Sequence, residues 1–186
     1  MFGQGRPPSW AGTRLVEAYP YVSYRRGDFE RLERAGLLPA DPVPPRAAKR
    51  LKRLPASAAA VLVDGSLLPR VVFAHEDYVR DEFIPFWLHF IRPRYVADVR
   101  PSPNRFPPRI AERVGAAEET SRVGIEFQLV MRDKRRFACQ YAEPSEFVEL
   151  PGPYHPEDIV DIVFSPTPLG EELVLVTPDY VWCVYR

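Results

Sequence analysis

The pattern that most constrains the fold is a strict alternation of apolar and polar residues between positions 125 and 141. Apolar side chains take every second position on either side of a charged pentapeptide: Ile125, Phe127, Leu129 and Met131 before it, then Phe137, Cys139 and Tyr141. Because successive side chains of a strand point to opposite faces, this pattern predicts two strands that share one buried face. The pentapeptide 132–136 is the predicted solvated tip between them.

The register of this predicted hairpin follows from the requirement that both apolar sets face the core. The predicted register pairs Met131 with Phe137, which places Leu129 opposite Cys139 and Phe127 opposite Tyr141. A slip of one residue would turn one apolar set toward solvent, so it is disfavoured.

Further strands are predicted on both sides of this hairpin. Segments 58–63 and 70–74 flank Asp64-Gly65, a dipeptide typical of hairpin turns. Short apolar runs predict strands at 95–99, 159–164, 172–177 and 180–185. Together with the hairpin 125–141, the last three predict a C-terminal β-meander. The sequence shows no internal repeat.

Helices are predicted where capping residues precede an apolar stripe. Asp28 and Pro45 predict the starts of short helices at 29–36 and 46–54, and Pro108 that of a helix through about 119. A longer helix is predicted at 76–91, where four aromatic residues recur at helical spacing: Phe83, Phe86, Trp87 and Phe90. Pro85 lies inside this pattern, so it either kinks the helix or marks the start of a second segment.

The predicted fold is a single α+β domain with an irregular arm. A mainly antiparallel sheet in residues 46–186 is packed against two or three helices, and the Pro-rich arm 1–45 packs on this body. Strands and helices are segregated rather than regularly alternating, which argues against a parallel α/β sheet. Arginine outnumbers lysine 22 to 3, which is typical of a GC-rich bacterial genome.

Charge is distributed very unevenly along a chain whose formal net charge is zero. Residues 138–185 contain no lysine or arginine and nine carboxylates, whereas the first 137 residues contain 24 of the 25 cations. An unneutralised acidic surface would attract a basic protein and accelerate association. The candidate residues of this surface are Glu143, Glu146, Glu149, Glu157 and Asp158. The same carboxylates are also explained as the polar face of a sheet, or as partners of the chain's own cations.

An alternative site is a pocket between the predicted aromatic helix and the sheet. Its polar groups would come from two histidines and the carboxylates beside the first: His75, Glu76, Asp77 and His155. The structural interpretation is that the acids after His75 begin a helix, and that Pro156 begins another short helical turn. No histidine or cysteine spacing predicts a metal or a cofactor, and no nucleophile motif predicts a catalytic residue. Cys139 and Cys183 fall in apolar strand patterns and are predicted to be core residues.

Three functions follow as hypotheses. The first is a non-enzymatic protein-binding domain, in one version an immunity or antitoxin-like inhibitor whose carboxylates imitate nucleic-acid phosphates. The second is a small enzyme or ligand-binding domain that uses the alternative pocket. The third is nucleic-acid binding through the basic helix 46–53, which carries five cations in eight positions. A solvated helix face, or one docked on the acidic third of the chain, is the favoured explanation of these cations. A cytoplasmic location is expected, since the longest apolar run has nine residues, too few to span a membrane.

Overall fold

The chain forms two compact units, and the second is inserted into the sequence of the first. A computed structural model describes residues 21–23, 34, 56–81, 87–117, 125–141, 146–164, 176 and 180–185. The first unit comprises Met1–Ser102 and Asp179–Arg186, and the second comprises Pro103–Pro178. The predicted helices 29–36 and 46–54 and most of the predicted arm lie outside the described residues, apart from Arg34, which is helical.

A six-stranded mixed sheet forms the first unit. Its strands are β1 (Tyr21–Ser23), β2 (Ala56–Leu62), β3 (Leu67–His75), β4 (Trp87–Phe90), β5 (Val96–Arg100) and β9 (Val181–Tyr185). They are arranged in the order β1-β4-β9-β3-β2-β5. Strand β9 is parallel to both β3 and β4, and the other pairs are antiparallel.

The position of β9 corrects the predicted C-terminal meander. All five residues of β9 are buried, and the side chain of Trp182 is fully covered. Parallel strands inside a sheet are covered on both faces, so they are apolar at consecutive positions rather than at alternate ones. The last predicted strand therefore exists, but it completes the sheet of the first unit.

The predicted aromatic helix is correct over its first six residues and wrong at 87–90, and residues 82–86 lie outside the described residues. Helix α1 spans Glu76–Asp81, and Trp87–Phe90 form strand β4 instead. Pro85 cannot donate a helical hydrogen bond, and aromatic side chains favour strands, so the tertiary pairing with β9 outweighs the helical spacing. The alternative expectation, that a second segment begins near Pro85, is confirmed.

The second unit packs one helix on a three-stranded antiparallel sheet. It contains α2 (Pro108–Gly115), β6 (Ile125–Met131), β7 (Arg136–Tyr141) and β8 (Ile159–Val163), with strand order β7-β6-β8. Helix α2 buries Ile110 and Val114 in a core that includes Phe127, Leu129 and Met131. The predicted packing of this helix on the sheet is confirmed. Because β8 pairs with β6 and not with β7, the order is not that of a meander.

The predicted register of the β6–β7 hairpin is wrong by two residues. Leu129 is opposite Phe137, and Phe127 is opposite Cys139. A shift of two keeps the same side chains on the buried face, so the apolar pattern alone cannot distinguish these registers. The turn decides between them, because the Met131 N–H donates to the Arg135 carbonyl and the Lys134 N–H to the Met131 carbonyl.

The same turn joins β2 and β3. The Leu62 N–H donates to the Ser66 carbonyl and the Gly65 N–H to the Leu62 carbonyl, as at Met131 and Lys134. This is the three-residue hairpin connection in which a type I turn is followed by a residue in the left-handed region. Gly65 takes that conformation with φ +84°, and Lys134 takes it with φ +71°.

A third strand is attached in the same way in both units. A short 3₁₀ helix, Pro93–Tyr95 or Pro156–Asp158, leads into β5 or β8, which pairs with the first strand of the hairpin. The register of both pairings shifts near the end of that strand, at Val61/Leu62 and at Val130/Met131. The two units therefore share a hairpin, a turn and a bulged third strand. The chain contains a structural repeat although its sequence shows none.

Candidate protein-binding site

A surface depression lies in the second unit where the β6–β7 turn meets the 3₁₀ helix before β8. It has a volume of about 480 Å³ and is lined by Arg132, Asp133, Pro153, Tyr154 and Asp158. The Arg132 N–H donates to the Asp158 carbonyl over 2.9 Å, which holds the turn against the 3₁₀ helix. The equivalent bond in the first unit runs from Val63 to Tyr95, also over 2.9 Å. The corner is thus part of the repeated framework, and Arg132 and Asp158 are particular to the second unit, because Val63 and Tyr95 take their places in the first.

Asp133 and Tyr154 form the polar centre of this depression. The Tyr154 hydroxyl donates to Asp133 Oδ2 over 2.5 Å, and Asp133 Oδ1 accepts the Arg135 N–H over 3.0 Å. The bond from Tyr154, followed by that from Arg135, lowers the pKa of the Asp133 carboxyl below its ordinary value. The same bond to Asp133 is the first cause that raises the pKa of Tyr154. Asp133 is therefore an ionised acceptor at neutral pH, held in one orientation.

The ring of Tyr154 is fixed from two sides. It packs edge-on against Phe137 with ring centroids 5.4 Å apart, and Phe137 belongs to the buried core. The guanidinium of Arg135 lies 5.9 Å from the centre of the same ring, and its Nε is 3.9 Å from Asp133 Oδ2. An aromatic face beside a carboxylate is an environment that attracts cations. Here a cation of the same chain already lies against it.

Two of the predicted acidic residues, Glu157 and Asp158, belong to the 3₁₀ helix that borders the depression. Asp158 Oδ2 accepts the His155 N–H over 3.0 Å, and the Asp158 N–H donates to the His155 carbonyl over 2.9 Å. Pro156 follows as the first residue of this helix, which confirms the structural interpretation of His155, Glu157 and Asp158. Asp158 therefore has a local structural role, whereas Glu157 is exposed.

The remaining predicted acidic residues have different environments. Glu146 Oε2 accepts a hydrogen bond from Arg105 Nε over 2.5 Å, so this carboxylate is neutralised within the unit. Glu149 is exposed, and Glu143 lies outside the described residues. The expectation of a self-neutralised acidic segment thus holds for Glu146, and its cation comes from the start of the second unit.

The residues of the alternative pocket do not form one described site. His75 Nδ1 lies 3.3 Å from the backbone N of Asp77 and 3.1 Å from its Oδ2, and the His75 ring packs edge-on against Tyr185. Glu76 and Asp77 begin helix α1, which confirms the structural interpretation of this junction. His155 belongs to the second unit. Of the aromatic helix that was to form one wall, Trp87–Phe90 are strand β4, and residues 82–86 lie outside the described residues.

Sequence reasoning missed the two residues that give the depression its character. Arg132 was assigned only to a solvated tip, and Tyr154 was not singled out. The signal available was an aromatic residue beside a Gly-Pro dipeptide in an otherwise polar loop, Pro151-Gly152-Pro153-Tyr154. Tyr154 and Asp133 are 21 positions apart, so their contact depends on the three-stranded sheet.

Comparison of the chain with models of protein families, with curated proteins and with solved structures found no match. Within the part of the chain that the structure describes, no group of three or more histidine, cysteine, aspartate or glutamate side chains could hold a metal ion. In the same residues, no helix is both long enough and apolar enough to cross a bilayer.

Proposed function

We propose that the chain is a non-enzymatic protein-binding module that takes a basic partner at the depression of its second unit. The observation that carries this proposal is the cluster of Asp133, Tyr154 and Asp158 in one depression, with the exposed Glu157 beside it. An arginine or lysine side chain entering here would meet two carboxylates and an aromatic ring. Arg135, which already lies near Tyr154 and Asp133, illustrates such a contact within the chain.

The charge of the second unit supports this choice of partner. Residues 103–178 contain 13 acidic and 8 basic residues, a formal net charge of −5, and the rest of the chain carries +5. A field of one sign raises the rate at which an oppositely charged protein meets the surface, and it is screened by salt. In the immunity or antitoxin-like version, the partner is a nuclease whose phosphate-binding cations meet these carboxylates.

The proposal is tested with one charge reversal near the depression and one away from it. Glu157→Arg reverses an exposed carboxylate that makes no ion pair within the described residues. Glu112→Arg makes the same change at an exposed residue of α2 that does not line the depression. Affinity capture from the native cell identifies a partner of the wild type, and the purified partner is then titrated against both variants.

We expect Glu157→Arg to weaken binding of this partner at least about tenfold, and Glu112→Arg to change it by less than about threefold. Arg132→Glu removes the cation that lines the depression and should strengthen binding. Equal effects of the two reversals would show that net charge alone acts. Unchanged binding in all three variants would refute the proposed site.

A further inference from the structure

Strand β8 is an edge strand of the three-stranded sheet, because it pairs only with β6 among the described residues. In an antiparallel ladder, every second residue turns its N–H and C=O away from the neighbouring strand. Such outward groups are a template on which another strand can pair, and proteins protect them. The partners of the outward N–H and C=O groups of β8 therefore show how this edge is protected.

Two arginines of helix α2 occupy the carbonyls of this edge. Arg109 Nη2 donates to the Ile159 carbonyl over 2.7 Å, and Arg113 Nη2 donates to the Ile162 carbonyl over 3.1 Å. The two residues are four positions apart, so they project from the same side of the helix. The spacing of the two arginines along the helix matches the spacing of the Ile159 and Ile162 carbonyls, which are three residues apart along the strand.

Asp161 completes the protection of Ile162. Its Oδ1 accepts the N–H of Ile162 over 2.8 Å and a hydrogen bond from Arg113 Nη1. Both backbone groups of Ile162 are therefore bound to side chains of the same unit. We name Arg109, Arg113 and Asp161 the edge clamp.

The equivalent edge strand of the first unit is protected differently. Asp98 occupies the position of Asp161 and accepts the N–H of Val99 over 2.9 Å. Arg100 of the same strand lies 3.7 Å from Asp98. The aspartate thus belongs to the repeated framework.

The sequence of β8 makes its protection important. Five of the six residues from Ile159 to Phe164 are apolar, and Val160 and Phe164 are 40% and 41% exposed. Short segments with high strand propensity and little charge pair readily when their edge is open. We infer that the edge clamp prevents β8 from pairing with β8 of a second copy of the chain.

The geometry specifies how such a pair would form. An antiparallel pair centred on Ile162 would exchange two N–H···O=C bonds, which use the groups now held by Arg113 and Asp161. This register places Val160 opposite Phe164 of the second copy and keeps the two Asp161 carboxylates apart. Pairing about a two-fold axis uses the same residues on both copies, so it requires no other partner.

The test compares the association state of the intact chain with and without the clamp. In Arg109→Ala/Arg113→Ala, sedimentation equilibrium should show self-association about tenfold or more stronger than in the wild type, because the Ile162 carbonyl of each copy becomes available as an acceptor. Arg92→Ala/Arg94→Ala removes two arginines from the first unit that lie before edge strand β5, and it should leave association unchanged. Adding Phe164→Lys to the clamp variant places a charge on the open edge and should restore the wild-type state.

Circular dichroism shows whether each variant is folded, and the single variant Arg113→Ala provides a smaller perturbation than the double variant. Arg113→Ala keeps the Arg109 bond, and it should associate to an intermediate degree. If the folded clamp variants have the wild-type mass at every concentration, the inference is wrong. It also fails if Phe164→Lys leaves the association of the clamp variant intact, because β8 is then not the surface in use.

Discussion

The left-handed conformation of Lys134 leads to a prediction about stability. A non-glycine residue in this region costs roughly 1–2 kcal/mol, because Cβ approaches the following carbonyl. Glycine avoids that cost but loses roughly 0.5–1 kcal/mol more backbone entropy on folding. Lys134→Gly should therefore stabilise the second unit by about 0.5–1 kcal/mol, or roughly 2–8 °C in Tm.

The first unit allows the reverse substitution in the equivalent turn. Gly65 takes the same position in the same turn, with φ +84°, and a Cβ placed there would meet no atom within 4 Å. Gly65→Lys therefore adds conformational strain without a steric clash, and it should destabilise the first unit by about 0.5–1 kcal/mol. The two substitutions exchange the residues of two equivalent turns, so their effects should be of opposite sign.

The assay must distinguish the units, since two units can unfold in separate transitions. Hydrogen exchange of the Met131 amide reports on one turn and that of the Leu62 amide on the other, because both donate across their turn. Lys134→Ala serves as the control, since it removes the charge and keeps a Cβ at positive φ. Equal stabilisation by alanine and glycine at 134 would refute the reasoning and assign the effect to charge.

Three further predictions concern ionisation. Tyr154→Phe removes the hydroxyl that is the first cause of the lowered Asp133 pKa, so carboxyl titration by NMR should find this pKa higher in the variant. Because the folded-state pKa of Asp133 is lowered, the stability linked to its ionisation is present above its unfolded pKa near 4 and is lost as pH falls. Tyr154→Phe has less of this stability, so its acid denaturation should begin at a higher pH than that of the wild type. Burial, with a smaller contribution from Tyr78, raises the pKa of Tyr180 to about 12, and burial also raises the pKa of Tyr185 to about 12. The stability linked to Tyr180 is complete below pH of about 10 and is lost as pH rises through about 12. Ultraviolet titration should therefore show one fewer late-ionising tyrosine in Tyr180→Phe than in the wild type. Burial also raises the pKa of the Cys183 thiol, so a thiol reagent should label Cys183 only after unfolding, and rapid labelling of the native protein would contradict its burial.

Alternation and turn residues predicted the local pairing in both units. Strands β2, β3, β6 and β7 lie where period two and the Asp64-Gly65 dipeptide indicated them. The register of β6 and β7 was missed, because a shift of two residues leaves the buried face unchanged. An aspartate in the turn, accepting the N–H two residues later at both Asp64 and Asp133, was the more useful signal.

Long-range partners could not be predicted from local patterns. The apolar run 180–185 predicted a strand, but nothing in its neighbours showed that β9 joins β3 and β4 across an inserted unit. Aromatic spacing at Phe86, Trp87 and Phe90 fits a helix as well as a strand until a pairing partner is known. The contact of Tyr154 with Asp133 depends on the same kind of tertiary information.

The insertion of the second unit has a consequence for synthesis on the ribosome. Strand β9 lies between β3 and β4, and it is translated after the whole of the second unit. Until it emerges, β3 and β4 each lack a neighbour in the centre of their sheet, whereas the second unit is already continuous. The nascent chain should therefore complete its second unit first and leave one edge each of β3 and β4 open in the meantime, which is the stage at which a chaperone would engage it.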